Sequence, residues 1–540
     1  MAVHWGGRGR GHSSRWTAAA SGGTPTPTPA PGASAITFPT AETVGYHVNS
    51  QFGSMTIDGS DRLTNLPDLK GLAALAAVAG VTAPKVMTDD MGRKFLRFNG
   101  NEAAAIANAL VINNRAFTAI MVGRVPHSRN SIAFLNPRFS AYTSAGVNTA
   151  ANGSIGYMRA TVSSSSAPFL QGGLPSASSN ATDCYKAIPG CQMQVIGVSS
   201  RTTANGGTRL YINNDVCDVA QQSTSVTGYI GGIVGGSAGA SNTENITGSV
   251  NNVFDCYALS VWQGELSNAQ ADACIAAAVT HYDIAQLDAN LVLEGDSIMD
   301  GIATNLGTSP AWSGGIGTHL TNPGSELVAP NVRVLNNGSS GNQTSHLVTK
   351  RDATNSIYDK GKYPGGAAKN RVAVQIGRND FSQTGGQKNS AMLYADIVAL
   401  LNTTTTGYLQ RGWSVTQAAN IAAAGTAVST NVSPAGENTI HKRIEGLRDL
   451  IADTGAHTPQ SQFLTDTLSN TGQTYEGLVD VLHLYDISFA SGLPFKTVIS
   501  AGIVYPTGLY DDDLTHLPAE GIAVMASGGD TPQYGYGALA

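Results

Sequence analysis

The 540-residue chain has few charged residues and no long apolar run, and each shortage excludes a class of protein. Charged residues make up only 13% of the sequence and the net charge is −6, so nothing indicates the basic patch that nucleic acid favours. No apolar run approaches the length of a membrane-spanning helix. We therefore predict no nucleic-acid partner and no membrane span.

Cysteines are also scarce, and none is arranged in the C-x-x-C pairs that hold zinc, so we predict no metal site. All five lie before residue 290. Cys184 and Cys191 enclose a short loop and could form a disulfide under oxidising conditions. An odd total leaves at least one thiol free, and we expect the remaining cysteines to be buried among apolar side chains.

The amino terminus lacks the apolar core of a secretory signal, although it carries arginines. Residues 24–31 read TPTPTPAP, a sequence that favours an extended spacer. We interpret residues 1–35 as an arm and linker that cannot fold alone. Trp5 and Trp16 would be costly to leave exposed, which predicts docking of the arm on a larger assembly. A disordered chain end without a partner is the alternative.

Residues 36–285 contain short β-like segments separated by Gly, Asn and Ser, and these predict an all-β sandwich. Only the end of this part is helix-like, with Ser267 as a plausible N-cap before an alanine-rich run. The clearest strand candidates are KFLRFNG (94–100), FTAIMVGRV (117–125), MQVIGVSS (193–200), TRLYINN (208–214) and VFDCYALSVW (253–262).

Three patterns in this part, RLYINN, the later GGIVGG and the closing VFDCYALSVWQGELSNAQADACI, resemble the concanavalin-A-like, laminin-G-like jelly-roll family. The resemblance implies a jelly-roll sandwich. Members of that family often bind glycans, but no residue of this sequence marks a sugar or calcium site. We therefore expect the aromatic side chains to pack in the core.

From residue 290 to 540 apolar strands alternate with helices, which predicts a parallel sheet covered by helices on both faces. The strand candidates are LVLEGDS (291–297), VRVLNNGS (332–339), RVAVQIG (371–377), WSVTQAA (413–419) and LVDVLHLYD (478–486). The helix candidates are residues 390–402, 440–454 and 518–526. The chain thus reads as a multidomain protein, with an all-β sandwich followed by an α/β/α three-layer domain.

Four short motifs in the second domain supply the groups that a serine nucleophile needs. Ser297 follows the first strand in LVLEGDSIMDG, residues 291–301. NNGSSGNQT follows the second strand and QIGRND ends the third, where Asn379 could donate to a developing oxyanion. DDDLTHL carries Asp513 and His516 three residues apart, so that the carboxylate can hold an imidazole that accepts the serine proton.

In this order the motifs resemble the SGNH, or GDSL-like, hydrolase family, across nearly all of residues 291–526. The resemblance implies a flavodoxin-like domain in which Ser297 is the nucleophile, His516 the general base and Asp513 the residue that orients His516. It also implies an oxyanion hole formed by the backbone N–H groups of Ser297 and Gly341 and by the side chain of Asn379. Gly341 is preferred to Gly338 because it follows a pair of small residues.

Other polar residues near these motifs have more ordinary interpretations. Arg378 could meet an anionic substrate, and a structural ion pair is an equal alternative. His346 is expected at the surface, or as a cap at the edge of the site. His483 sits in an apolar strand and is expected to be packed rather than catalytic.

Together these features predict a serine esterase without metal or organic cofactor, acting on an acylated polysaccharide or glycan. O-acetyl groups are the favoured substrate because of the sandwich and the Gly/Ser/Thr-rich composition. The arrangement resembles phage tail fibres and spikes, which implies a virion component or a protein acting outside the cell without a signal peptide. A lipid or small acyl-ester hydrolase and a non-enzymatic virion or adhesion protein are the alternatives. The sequence leaves homo-oligomerisation open.

Overall fold

We analysed a computed structural model of the chain. It describes the following residues: 36–39, 46–49, 54–72, 74–89, 91–99, 102–112, 117–124, 132–136, 158–161, 169–172, 182–187, 192–200, 208–219, 229–234, 236–238, 246–248, 253–262, 264, 266–300, 315–321, 327–339, 341–353, 356–382, 388–403, 406–418, 437, 440–452, 479–482, 496–500, 503–505, 519–527 and 536. All structural statements below concern these residues.

The first part of the chain is built from antiparallel strands and one helix. The strands are β1 (Tyr46–Asn49), β2 (Thr56–Ile57), β3 (Leu63–Leu66), β4 (Leu75–Ala77), β5 (Lys85–Thr88), β6 (Lys94–Asn99), β7 (Ala104–Ile112), β8 (Phe117–Arg124), β9 (Ile132–Asn136), β10 (Met158–Thr161), β11 (Phe169–Gly172), β12 (Thr182–Ala187), β13 (Met193–Ser200), β14 (Thr208–Ile212), β15 (Asp215–Val219), β16 (Tyr229–Val234), β17 (Gly236–Ala238), β18 (Ile246–Gly248) and β19 (Val253–Trp262). The helix is α1 (Asn268–His281). We call this part the sandwich.

Two large sheets of the sandwich pack against each other. One has the order β15-β14-β13-β8-β19-β6-β5, with β1 also paired to β19, and the other has the order β12-β11-β10-β9-β16-β7-β4-β3-β2. Their shared core contains Leu96, Phe117 and Ile196 from the first sheet, and Leu75 and Ile106 from the second. Face-to-face packing of antiparallel sheets is the arrangement that the short β-like segments of this part predicted.

Helix α1 covers the outer face of the first sheet. Its Cys274 and Ile275 pack with Tyr211, Tyr257 and Trp262 from the strands. Every residue of β8 is consequently buried, because one face meets the second sheet and the other meets the helix. The predicted N-cap is confirmed: the Ser267 side chain accepts from the Gln270 N–H, and the Gln270 side chain accepts from the Ser267 N–H.

The second part, which we call the α/β region, is built around a parallel sheet. Its strands are β20 (Ala289–Gly295), β21 (Val332–Asn336), β22 (Asn370–Gln375), β23 (Ser414–Ala418) and β24 (Val479–Leu482), and a separate hairpin contains β25 (Lys496–Ser500) and β26 (Ile503–Tyr505). Its helices are α2 (Ser297–Asp300), α3 (Gly315–Leu320), α4 (Thr344–Asp352), α5 (Ile357–Lys360), α6 (Arg378–Ser382), α7 (Ser390–Asn402), α8 (Ile440–Ala452) and α9 (Ala519–Ser527), with a 3-10 turn at Gly366–Ala368.

The five parallel strands have the order β21-β20-β22-β23-β24, and both faces of this sheet are covered. Val292 and Val372 face a core shared with α4, α7 and α8, whereas Leu293 and Ala373 face a core shared with α3 and α9. Successive strand residues point to opposite faces, so the continuously apolar strands in the sequence reflect burial on both sides. The predicted order of antiparallel sheets followed by a parallel sheet with helices is present.

The two parts contact each other along the outer edge of β21. The Gln192 side chain donates from Nε2 to the Val332 carbonyl oxygen (2.6 Å) and accepts at Oε1 from the Val334 N–H (3.1 Å). Its amide therefore makes the two bonds that a neighbouring strand would make. A cavity of about 410 Å³ lies beside this contact, with Met193, Tyr282 and Val328 among its lining residues.

The remaining predictions about organisation have mixed outcomes. Cys256 and Cys274 are buried, as expected, and burial raises the pKa of each thiol to about 12. Cys191 lies outside the described residues, so the disulfide with Cys184 stays a prediction. The arm, residues 1–35, also lies outside them, and the domain boundaries at 36–285 and 290–540 stay predictions. In the part of the chain that the structure describes, no helix has the length and apolar character needed to cross a bilayer.

Candidate active site

Ser297 lies directly beyond the carboxyl end of β20, as the first residue of α2, and is 6% exposed. Asp296 precedes it, is fully buried, and accepts the Ile298 N–H at 3.0 Å, which satisfies a free donor at the start of the short helix. Gly295, the last residue of β20, is constrained by close packing, because a Cβ at this position would lie 2.3 Å from the Gln375 carbonyl oxygen on β22.

β20 is the point at which the strand order of the sheet reverses. The chain moves from β20 to β21 on one side and then to β22 on the other. In open α/β sheets, ligands bind outside the carboxyl ends of the strands at such a point. Ser297 follows β20, and Arg378 and Asn379 follow β22, so these residues occupy that location in the sheet.

Gly341 lies in a tight turn after β21. The Asn342 N–H donates to the Ser339 carbonyl oxygen at 3.1 Å, and Gly341 has a φ of +76°, in the left-handed region that glycine adopts readily. A Cβ on Gly341 would meet no atom within 4 Å, so this residue faces open space. Gly338, the rejected alternative, donates its N–H to Asn336 Oδ1 at 3.1 Å and is buried. Its N–H is therefore already engaged.

Hydrogen bonds join the first three motifs into one unit. The Gly295 carbonyl oxygen accepts from the Ser339 N–H at 3.1 Å and from Asn342 Nδ2 at 3.0 Å. The Asn342 carbonyl oxygen in turn accepts from Asn379 Nδ2 at 3.0 Å. Asn342 thus contacts both the segment before Ser297 and the amide after β22. Asn342 was not predicted as a site residue, although it directly follows Gly341.

The Asn379 amide has two N–H groups, and one is used in the bond to Asn342. That bond fixes the plane of the amide. Asn379 lies in the first turn of α6, where backbone N–H groups also collect. The neighbouring Arg378 is only 7% exposed, so its side chain is largely covered by protein.

The carboxylate of Asp380, the residue after Asn379, is bound by Thr344 and Lys388. We call these three residues the Asp380 clamp. The Asp380 carboxylate accepts from the Thr344 N–H (3.1 Å), Thr344 Oγ1 (2.8 Å) and Lys388 Nζ (2.6 Å). Burial alone would lower the pKa of Lys388, but hydrogen bonds and ion pairs with Asp380 and Asp396 outweigh it and raise that pKa. Lys388 therefore stays protonated at neutral pH.

A second buried network of hydrogen bonds anchors β20, the strand that precedes Ser297. Glu294 is fully buried and accepts from Asn337 Nδ2 (2.5 Å) and from the Tyr358 hydroxyl. Lys350 Nζ lies 3.7 Å from the same carboxylate and donates to the Asn337 carbonyl oxygen. Desolvation raises the pKa of Glu294, and Lys350 and the two hydrogen bonds oppose that change.

The structure thus brings Ser297, Gly341 and Asn379 to one edge of the sheet, whereas Asp513 and His516 lie outside the described residues. The assignment of these two residues stays a prediction, as does that of His483. His346 is exposed and caps α4, since its Nδ1 accepts the Gln343 N–H at 3.1 Å. Of the two interpretations of His346, capping at the surface is the one observed.

No protein-family model and no curated relative matches the chain. Among solved structures, a Trypanosoma rangeli sialidase in complex with sialic acid is 9% identical, with a TM-score of 0.30; the match covers 46% of this chain and 34% of the sialidase. Domain 4 of the arabinanase AbnA from Geobacillus stearothermophilus, in complex with arabinotriose, is 15% identical with a TM-score of 0.29, covering 43% of this chain and 98% of that one. Likenesses this weak say nothing about what this chain binds or does.

Proposed function

We propose that the α/β region is a serine ester hydrolase of the SGNH type, with Ser297 as its nucleophile. The observation that carries the proposal is the hydrogen-bonded unit of Gly295, Asn342 and Asn379 at the reversal point of the parallel sheet. This unit holds a serine, a glycine turn facing open space and an amide side chain together. Nucleophilic attack on an ester needs that combination.

In the proposed reaction, Ser297 Oγ attacks the ester carbonyl carbon while His516 accepts the serine proton. Asp513 orients the imidazole. The negative charge that forms on the carbonyl oxygen is stabilised by the backbone N–H groups of Ser297 and Gly341 and by Asn379 Nδ2. His516 then gives its proton to the departing alcohol, and an acyl-enzyme remains. A water molecule then attacks the acyl carbon while His516 accepts its proton. His516 returns that proton to Ser297 Oγ as the acyl–oxygen bond breaks, and the acid is released.

For the substrate we propose O-acetyl groups on a surface polysaccharide. The supporting features are the β-sandwich that precedes the α/β region and the low charge of the sequence, 13% of residues. A virion location, with docking through residues 1–35, belongs to the same proposal and rests on the composition of the arm. The mechanism requires no cofactor.

The test is acetate release from a panel of acetylated polysaccharides and from p-nitrophenyl esters of increasing chain length. Ser297→Ala should lower turnover by at least about a thousandfold without changing the unfolding transition, because the nucleophile alone is lost. Ser345→Ala, an exposed serine on α4, is the matched control and should keep full activity.

The panel also separates the alternatives. Preference for long-chain over acetyl esters would select a lipid or small acyl-ester hydrolase. Absence of any turnover in well-folded protein would support a non-enzymatic virion or adhesion protein. Loss of activity with a chelator, restored by a divalent ion, would contradict the cofactor-free mechanism.

A further inference from the structure

We infer that Asp380 is a positioning residue, which acts through Thr344 and Lys388 to hold the two separate parts of the oxyanion hole, Gly341 and Asn379, at a fixed distance. This inference rests on the proposed function and extends it. Neither Asp380, Thr344 nor Lys388 is expected to touch the substrate. Their role would be to set the geometry of the donors that do.

The connection follows from where each clamp residue sits in the chain. Asp380 comes directly after Asn379, within the first turn of α6. Thr344 comes three residues after Gly341 and is the first residue of α4. Gly341 follows β21 and Asn379 follows β22, and 38 residues of chain separate them. Local backbone geometry therefore does not fix the distance between these two donors. The hydrogen bonds from Thr344 to Asp380 link the segments that contain these two donors.

The chemistry of the clamp suits a rigid contact. The carboxylate meets the amino-terminal end of α4 and lies in the first turn of α6, and both helix ends favour negative charge. Its side chain has no exposed area, whereas Lys388 is 22% exposed. Lys388 Nζ donates both to Asp380 Oδ1 (2.6 Å) and to Thr344 Oγ1 (2.8 Å), so it closes a three-membered ring of hydrogen bonds. An ion pair with a fully buried carboxylate and several hydrogen bonds resists displacement.

A second link runs through the backbone between the donors. Asn342 lies between Gly341 and Thr344, and its carbonyl oxygen accepts Asn379 Nδ2 at 3.0 Å. The clamp and this bond therefore hold the same two loops at two points. Loss of the clamp should leave the loops joined but free to rotate about the Asn342 contact, which would misplace the donors without unfolding the region.

The experiment compares paired variants with p-nitrophenyl acetate as substrate. Asp380→Asn should lower kcat by about 10- to 100-fold, since a displacement of about 1 Å has effects of that size. Thr344→Val should lower kcat by about fivefold, whereas Thr344→Ser, which keeps the hydroxyl, should stay within about twofold of the wild type. KM should change by less than about twofold throughout, because the oxyanion forms only in the transition state. Thr349→Val, on the exposed side of α4, is the control and should have no effect.

Two further readouts distinguish positioning from a merely structural role. A small boronic acid forms a tetrahedral anion on a serine nucleophile, so its inhibition constant should rise in proportion to the loss of kcat. In an Asn379→Ala background, Asp380→Asn should lower kcat by a smaller factor than it does in the wild type, because one of the two donors that it positions is already gone. Additive losses in this double-mutant cycle, or a change in KM alone, would overturn the inference.

The two proposals fail differently. If wild-type protein hydrolyses no ester and reacts with no boronic acid, the proposed function is wrong and the clamp's role in catalysis falls with it. If the wild type is active and depends on Ser297, but Asp380→Asn is folded and fully active, only the clamp inference is wrong. Lys388→Met and Lys388→Arg provide a second pair should Asp380→Asn not fold, with the arginine variant expected to retain more activity.

Discussion

The sandwich and the α/β region both bury charged side chains, but they place them differently. In the sandwich, the Asp255 carboxylate lies on β19 between Arg97 on β6 and Arg124 on β8, directly opposite both in register. The bonds run across the middle of a sheet and tie strands together. In the α/β region, some buried charges lie at or just beyond the carboxyl ends of the strands, and two of them, Glu294 and Asp380, tie loops together.

This difference indicates where each region needs precision. Cross-strand ion pairs such as Asp255 with its two arginines fix the register of strands that neighbouring backbone bonds already hold. Loops lack such a ladder and have few backbone bonds, so side chains are needed to fix them. The α/β region uses Asn342, Asp380 and Glu294 for that purpose, all next to Ser297 or Asn379 in space or sequence. Buried polar networks at loop ends are typical of a site whose geometry matters.

The largest effect should come from removing the central charge of the sandwich. Asp255→Asn keeps the shape but leaves two arginines, one of them 3% exposed, without their shared counter-charge. We expect the free energy of unfolding of the sandwich to fall by about 3–5 kcal/mol. Chemical denaturation followed by tryptophan fluorescence measures this, since Trp262 lies in the same sheet.

Asp272→Asn is the matched control. Asp272 pairs with Arg209, but it is 49% exposed, so its loss should cost less than about 1 kcal/mol. Ester hydrolysis should be unchanged in both variants at temperatures where they are folded. Equal destabilisation by the two substitutions would show that Asp255 and its two arginines have no special role in the sandwich.

The second prediction concerns pH. His47 on β1 is 1% exposed, its Nε2 has no hydrogen-bond partner among the described residues, and burial lowers its pKa from 6.5 to about 4. The unfolded chain therefore binds a proton between pH 6.5 and about 4 that the folded chain does not. The stability of the sandwich should be complete above pH 6.5 and should fall by about 3 kcal/mol as the pH drops to about 4.

The comparison between wild type and His47→Gln isolates this contribution from other titrating groups. The difference in unfolding free energy should grow steadily below pH 6.5, and parallel curves would contradict the assignment. The sign reverses in the α/β region: burial raises the pKa of Glu294, so that group contributes stability at low pH that is lost as pH rises through its folded-state pKa. Separate probes for the two regions should therefore respond oppositely to pH.

The smallest effect should come from the contact between the regions. Gln192→Ala removes two hydrogen bonds to β21 and should cost about 1 kcal/mol, because water can replace a partner at the sheet edge. Hydrogen exchange of the Val334 amide, which donates to Gln192, should become faster. Gln192→Glu keeps the acceptor but not the donor, and should protect Val334 better than alanine does. Unchanged exchange in the alanine variant would mean that the edge is protected by something other than Gln192.

Several features of the fold could be predicted from the sequence because they depend on local patterns. The continuously apolar strands β20 and β22, the helix Ser390–Asn402 and the Ser267 cap are all encoded within a few residues. β7 (Ala104–Ile112) was not predicted, because its alanines have little intrinsic strand preference and their placement depends on β4 and β16 on either side.

By itself, the sequence determined which residues are candidates for chemistry: Ser297, Gly341 and Asn379 each follow a strand in a recognisable motif. Only the tertiary structure decided how they are held. The two bonds to the Gly295 carbonyl oxygen, the Asn342 bridge and the Asp380 clamp all join residues near the ends of different strands. Such contacts have no sequence spacing of their own, because the sheet order that creates them is set by the packing of the whole region rather than by any local pattern.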